Sequence, residues 1–341
     1  MSEVLTEKAA PAAIARPRLG FLGVGWIGRH RLEAILATGA VEVAAIADPS
    51  AEMAAEAGRL APGADVVGTL DALLDAGVDG VVIATPSALH AEQSIRALAR
   101  GAAVFCQKPL GRTAAEVEAV VDAARAADRL LGVDLSYRFT EGMRAIRELV
   151  ARGELGRIYA VDLVFHNAYG PDKPWFYDPK LAGGGCVMDL GVHLVDLALW
   201  ALDFPRVTDV TGKLFAGGEP LGGRTDRVED YAVATVGLDT GAALQLACSW
   251  RLQAGCDAMI SAAFYGTEGG AALKNVAGSF YDFTAERYRG TARETLAVPP
   301  DAWGGRAAAD WAMRLAQGAR FDPLAERLVD VARVLDRIYG R

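Results

Sequence analysis

Between residues 18 and 135 short apolar runs alternate with alanine-rich stretches of helical period. Leu19–Val24, Val43–Ala47, Gly80–Ala84, Ala103–Cys106 and Leu131–Leu135 are almost continuously apolar, the pattern of strands covered on both faces. Trp26–Ala37, Ala88–Ala99 and Ala114–Ala127 repeat their apolar positions at helical spacing. This alternation predicts parallel strands joined by crossover helices. After about Arg152 the rhythm changes. Ile158–His166, Val207–Phe215, Tyr231–Leu238, Ala242–Trp250, Ala258–Tyr265 and Phe280–Arg289 read as longer successive strands, several joined by turns such as Asp239-Thr240-Gly241. They predict a largely antiparallel open sheet. A helix from about Gly185 to Leu202 interrupts it, and another closes the chain over Pro323–Tyr339, where Leu324, Leu328, Val331, Leu335 and Ile338 keep helical spacing.

The expected class is therefore α/β, with a first domain over 18–137 and a second, α+β domain over 138–341. The closing helix is placed to pack back on the first domain. Residues 1–17, rich in alanine and proline, are expected to form a frayed tail. A chain of 341 residues suits two domains that bury cores without staples. Its net charge of −8 offers no basic excess for a phosphate backbone, so nucleic acid is not an expected partner. No charge-free run of about 18 apolar residues marks a membrane span, and the first residues lack the apolar segment of a secretory signal. Cys106, Cys186, Cys248 and Cys256 form no Cys-x-x-Cys pair and read as buried small hydrophobes in a reducing compartment. A cytoplasmic protein is expected.

The first strand runs into Gly23-Val24-Gly25-Trp26-Ile27-Gly28 and a helix. Such a turn brings backbone close to a pyrophosphate, with the helix dipole and first-turn N–H groups favouring the anion. Gly-rich turns also exist for packing alone, but Asp48 ends the second strand twenty positions after Gly28. A carboxylate there accepts from both hydroxyls of an adenine ribose and repels a 2′-phosphate, so NAD is expected in preference to NADP. Thr85, Pro86 and His90 leave the end of a later parallel strand, where they face either the cofactor crevice or solvent. Lys108, in Gln107-Lys108-Pro109, is placed over the same crevice, where a lysine at a strand end is otherwise a solvated surface residue.

In Gly183-Gly184-Gly185 through Asp196, the residues Asp189, His193 and Asp196 fall at i, i+4 and i+7, on one helical face. Three buried ionisable groups are costly unless paired or used, and a His/Asp pair suits proton removal from a hydroxyl. An intrahelical core pair is the structural alternative. No second histidine completes a zinc helix, so no metal is expected. His166, Asn167 and Trp175, the last followed by Phe176 and Tyr177, lead into this helix; they suit a polyhydroxylated ring or serve as loop anchors. Arg138 is expected to brace the two domains.

Taken together, these motifs resemble the Gfo/Idh/MocA family. The resemblance runs from Arg18 to the end and rests on the glycine turn, Thr85-Pro86 with His90, Gln107-Lys108-Pro109 in place of the family's Glu-Lys-Pro, and the Gly-Gly-Gly…Asp-x-Gly-x-His-x-x-Asp segment. It implies an amino-terminal Rossmann domain and a carboxy-terminal domain whose sheet forms the substrate pocket and an oligomer surface, giving a dimer or tetramer. It implies Lys108, Asp189 and His193 as the catalytic set, with Asp189 and His193 also binding substrate. Gly23, Gly25, Trp26, Ile27, Gly28, Asp48, Thr85, Pro86, His90 and Lys108 then line the cofactor site. The expected activity is NAD-linked hydride transfer at a ring carbinol or ketone of a sugar or cyclitol. The alternatives are glycoside cleavage through transient sugar oxidation and a non-catalytic nucleotide sensor.

Overall fold

The computed structural model describes residues 16–341; of the expected tail, residues 1–15 lie outside the described residues. The first unit carries strands β1 (Arg18–Leu22), β2 (Glu42–Ala47), β3 (Asp65–Val67), β4 (Gly80–Ile83), β5 (Ala103–Cys106) and β6 (Leu131–Val133), all parallel, in the order β3-β2-β1-β4-β5-β6. Helices α1 (Trp26–Leu36), α2 (Ala51–Leu60), α3 (Leu70–Asp75), α4 (Ser87–Ala99) and α5 (Ala114–Ala127) make the crossovers. The order reverses between β1 and β4, so a crevice opens beyond their carboxyl ends. Ser50, Thr69 and Thr113 cap α2, α3 and α5 by accepting first-turn N–H groups. No side chain caps α1, whose amino end is the glycine turn.

The second unit contains helix α6 (Glu141–Ala151), strand β7 (Ile158–Asn167), the single turn α7 (Pro179–Ala182) and helix α8 (Val192–Ala201). Strands β8 (Val207–Ala216), β9 (Glu219–Pro220), β10 (Tyr231–Leu238), β11 (Ala243–Ser249), β12 (Ala258–Gly266), β13 (Gly270–Asn275), β14 (Phe283–Arg289) and β15 (Ala292–Ala297) follow. Nine strands lie in the order β15-β14-β13-β12-β7-β11-β10-β8-β9, antiparallel except for the β7–β11 pair. Sequence pattern missed β13 because Gly270-Ala271-Ala272-Leu273 holds no β-branched residue. Helix α6 packs closely on this part of the sheet: at its Gly142 a Cβ would come within 2.6 Å of Leu273 in β13 and 2.8 Å of Ala285 in β14. Alternate residues on the face away from the helices, including Tyr159, Met259 and Tyr265, are exposed.

After β15 the chain returns to the first unit. Helix α9 (Arg306–Ala316) lays Trp311 against Phe105 of β5, with ring centres 5.7 Å apart, and helix α10 (Arg327–Tyr339) packs on both α5 and β8. Residues from both ends of the chain thus complete the first unit. The segment Pro179–Ala201 is apolar and long enough to span a bilayer, yet 83% of its most apolar window is buried within the protein, where it ends in the core helix α8.

Candidate active site

The three glycines of the first turn have separate physical reasons. Gly23 has φ of +83° and donates its N–H to the Ala47 carbonyl at 2.8 Å; a Cβ there would come within 2.6 Å of the Ala84 oxygen. A Cβ at Gly28 would come within 2.2 Å of the Gly23 oxygen, so this glycine closes the helix onto the strand. Gly25 differs: a Cβ would meet nothing within 4 Å. The space beside it opens on the uncapped end of α1, a cradle that fits a pyrophosphate. Asp48 frames the same turn by accepting from Val24 N–H at 2.7 Å and Ser50 N–H at 2.8 Å. Trp26 stands exposed at the start of α1, with Ile27 half-buried beside it.

Thr85 donates its hydroxyl to Gln93 at 2.6 Å, and Pro86 is the residue that precedes α4. His90 departs from the expected cofactor contact. Its ring is buried, with nitrogens 2.7 Å from the Pro109 and Thr85 carbonyl oxygens, so it braces the turn carrying Lys108. Burial pushes its imidazole below the usual range, and the Lys108 charge adds to this while the two carbonyls oppose it.

Lys108 reaches from the first unit into the second. Its Nζ donates to Asp189 Oδ1 at 2.6 Å and to the Asp189 carbonyl at 2.8 Å, while Trp250 Nε1 donates to Asp189 Oδ2 at 3.0 Å. The carboxylate is therefore held at both oxygens. Asp189 lies in a five-residue π-wound turn, Val187–Gly191, ahead of α8 rather than in one regular helix. That winding corrects the single-face reading. Asp189 turns to Lys108, whereas Asp196 pairs with Arg138, whose Nε donates to it at 2.7 Å. Arg138 also lies over the Trp200 and Phe204 rings, so it fastens α8 to the segment after β6.

His193 pairs with neither aspartate. It is buried against Tyr137, ring centres 4.9 Å apart, and its Nδ1 has no partner among the described residues. Burial holds its imidazole well below the usual range, and the Lys108 and Arg31 charges push it the same way. All three effects favour the neutral ring.

Gly183-Gly184-Gly185, which precedes this turn, is a packing device. Added Cβ atoms would come within 2.6 Å of Arg112, 2.0 Å of the Tyr339 hydroxyl and 1.9 Å of the Glu229 carbonyl oxygen, respectively. The buried Glu229 carboxylate accepts from Gly185 N–H and Val187 N–H, each at 2.9 Å, and from the Tyr339 hydroxyl at 2.7 Å. Glu229, Tyr339 and Trp250 escaped sequence reasoning because each is far along the chain from the motif it supports.

The loop after β7 folds over Trp250. Trp175 stacks on Phe176 at 3.8 Å, and Phe176 and Tyr177 meet the Trp250 ring at 6.3 and 5.6 Å. Asn167 keeps a buried Oδ1 without a partner among the described residues. His166 is not brought to the site. Phe165 points to His193, so the next residue along the strand points to the opposite sheet face. There His166 Nδ1 lies 2.8 Å from Ser249 Oγ and its ring stacks on Tyr231.

A Rossmann unit joined to an open-sheet unit, with a lysine–aspartate pair across the joint, defines the class: a two-domain dinucleotide-binding oxidoreductase fold. A model of the oxidoreductase family with an NAD-binding Rossmann fold matches residues 17–135, and one of the GFO/IDH/MocA C-terminal domain matches 143–272. The chain is 33% identical to the 1,5-anhydro-D-fructose reductase of Ensifer adhaerens over 67% of its own length and 68% of that protein's. It is 31% identical to the D-glucoside 3-dehydrogenase of Escherichia coli (strain K12) over 57% of its own length; that match spans 58% of the relative. The solved structure of GenD2 from gentamicin A biosynthesis, in complex with NAD, superposes with a TM-score of 0.80 at 24% identity over 99% of this chain and 98% of that one. The chain belongs to the Gfo/Idh/MocA family.

Proposed function

We propose that the protein is an NAD-dependent oxidoreductase that moves hydride between the nicotinamide and a ring carbinol or ketone of a sugar, sugar derivative or cyclitol. The observation that carries this reading is the Lys108–Asp189 pair, 2.6 Å apart at the joint between the two units, with the neutral His193 one turn further on. Bound nicotinamide supplies the hydride acceptor or donor. The chain's own residues then handle the proton and the charge. A neutral imidazole takes the carbinol proton, which an imidazolium does not. The Lys108 ammonium stabilises the developing oxyanion, and Asp189, fixed by Lys108 and Trp250, orients substrate hydroxyls. Asn167 and the Trp175–Tyr177 loop form the wall against which a polyhydroxylated ring rests.

Gly23, Gly25 and Gly28 with the open end of α1 hold the pyrophosphate, and Trp26, Ile27, Thr85 and Pro86 border it. Asp48 selects NAD over NADP, because a 2′-phosphate brings like charge against its carboxylate. The names of the relatives, a glucoside dehydrogenase and an anhydrofructose reductase, support the substrate class. The exposed Tyr159, Met259 and Tyr265 support a homo-oligomer joined through the open sheet face, and four free thiols suit a reducing, cytoplasmic setting.

A panel of sugars, inositols and their keto forms, followed at the NADH absorbance band, tests the reading. Net absorbance change with a member of the panel is expected. NADH binding without any turnover, or glycoside cleavage without net redox change, replaces it with a sensor or an elimination enzyme.

A further inference from the structure

Beneath Lys108 lies a buried polar cluster that the reaction reading does not use. Arg31 on α1 is 5% exposed and Asp134, just after β6, is 1% exposed; Arg31 Nε donates to Asp134 Oδ2 at 2.6 Å. Gln107 Nε2 donates to the same oxygen. The backbone ties the cluster further, since Gln107 N–H donates to the Ile83 carbonyl at 2.9 Å and Asp134 N–H to that of Cys106 at 3.0 Å. Gln107 is thus fixed at both its backbone and its side chain, and Lys108 is the next residue.

We propose that Asp134, neutralised by Arg31, is the positioning acid for Lys108, and that Gln107 is the link between them. This rests on the reading of Lys108 as the cation of the reaction. The charge balance explains the amide. Arg31 and Asp134 already cancel, so a carboxylate at 107 faces the Asp134 oxygen with like charge in a buried site, whereas an amide supplies the donor that the oxygen accepts. Arg31 sits on the helix that begins at the glycine turn. The cluster therefore couples the cofactor cradle to the side chain that crosses to Asp189.

A double-mutant cycle on Gln107→Glu, Asp134→Asn and their combination tests the proposal in the full chain without any substrate. Each single variant is expected to lower the folding equilibrium constant by about a hundredfold, and the double to recover most of the loss, because it restores one carboxylate, one amide and Arg31. Acetylation of Lys108 by acetic anhydride, read by peptide mass spectrometry against exposed Lys173 in the same sample, reports positioning. Each folded single variant is expected to shift the Lys108-to-Lys173 ratio by about threefold or more, and the double to return it near the parental value. Gln107→Met, which removes the donor without adding charge, is expected to shift the ratio as well and keeps the test decisive should a single charge variant fail to fold. An unmoved ratio in folded variants, or losses that simply add in the double, overturns the proposal. Lys108→Ala separates the two claims: retained hydride transfer there defeats the functional reading, while abolished transfer with no coupling in the cycle defeats this proposal alone.

Discussion

Two glycine-rich turns precede the two helices that face the site, and they exist for opposite reasons. At Gly23–Gly28 the middle glycine leaves open space, while at Gly183–Gly185 every glycine is filled by a neighbour: Arg112, Tyr339 and Glu229. Composition alone does not distinguish a cradle for a ligand from a socket for packing. The difference lies in what a Cβ would touch, and it divides the protein into a unit whose turn is open at Gly25 and a unit whose turn is packed at every glycine by the protein's own residues.

That comparison can be broken by substitution. Gly185→Ala drives a Cβ into the Glu229 backbone at 1.9 Å, so the second turn must shift. A loss of about 3 kcal/mol in denaturant unfolding is expected, together with loss of activity. A parental unfolding midpoint would mean that the second turn is as open as the first. Gly25→Val is the converse case. It is expected to weaken NADH binding about a hundredfold in a fluorescence titration, through a side chain standing in the pyrophosphate space, while stability stays within about 0.5 kcal/mol of the parent. Unchanged NADH affinity would close the cradle reading.

A smaller effect sharpens the first turn further. Asp48→Asn removes the charge and keeps the shape, so the ratio of NADPH to NADH affinity is expected to rise about tenfold. A ratio that does not move places cofactor choice elsewhere. The smallest effect belongs to the second region and its buried histidine. Because the His193 pKa is lowered in the folded protein, the unfolded chain binds a proton that the native state does not. The contribution is complete above the unfolded value of 6.5 and is lost as pH falls below it, with a slope of about 1.4 kcal/mol per pH unit from this group. Unfolding series above and below that pH, with His193→Ala alongside, are expected to show a shallower acid slope in the variant. Equal slopes would mean that His193 takes up its proton in the native state.

The legibility of the two regions also differs. Five of the six parallel strands could be read because buried strands such as Gly80–Ile83 and Ala103–Cys106 are uniformly apolar, whereas the short, largely exposed β3 and the helices α2 and α3 beside it were not read. The glycine turn, Asp48 and Lys108 were visible because strand–turn–helix spacing fixes their place at the crevice. The second half hid more. β13 is built of glycine and alanine, so its propensity is silent, and the π-wound turn at Val187–Gly191 sent Asp189 and Asp196 to different partners, where regular spacing had put them with His193 on one face. His166 looked like a substrate ligand from its position before the aromatic loop, yet strand alternation carries it to the far side of the sheet. His90 is a brace for the same reason that it looked available: a residue in the first turn of the helix that follows a strand faces the neighbouring turn as readily as the crevice. Trp250 and Glu229 give no local signal, since their roles arise only from contacts about 60 and 40 residues distant in sequence.

The central claim is that Lys108 and His193 carry the proton and charge of hydride transfer. Single-turnover measurement on His193→Ala and Lys108→Ala, with the substrate that the panel identifies and with NADH affinity and thermal unfolding recorded in parallel, tests it most directly. Folded variants that bind NADH nearly as the parent does, yet transfer hydride ~10²–10⁴-fold more slowly, are predicted. A folded His193→Ala enzyme that transfers hydride at near the parental rate at every pH would contradict the account and leave that histidine a packing residue of the core helix.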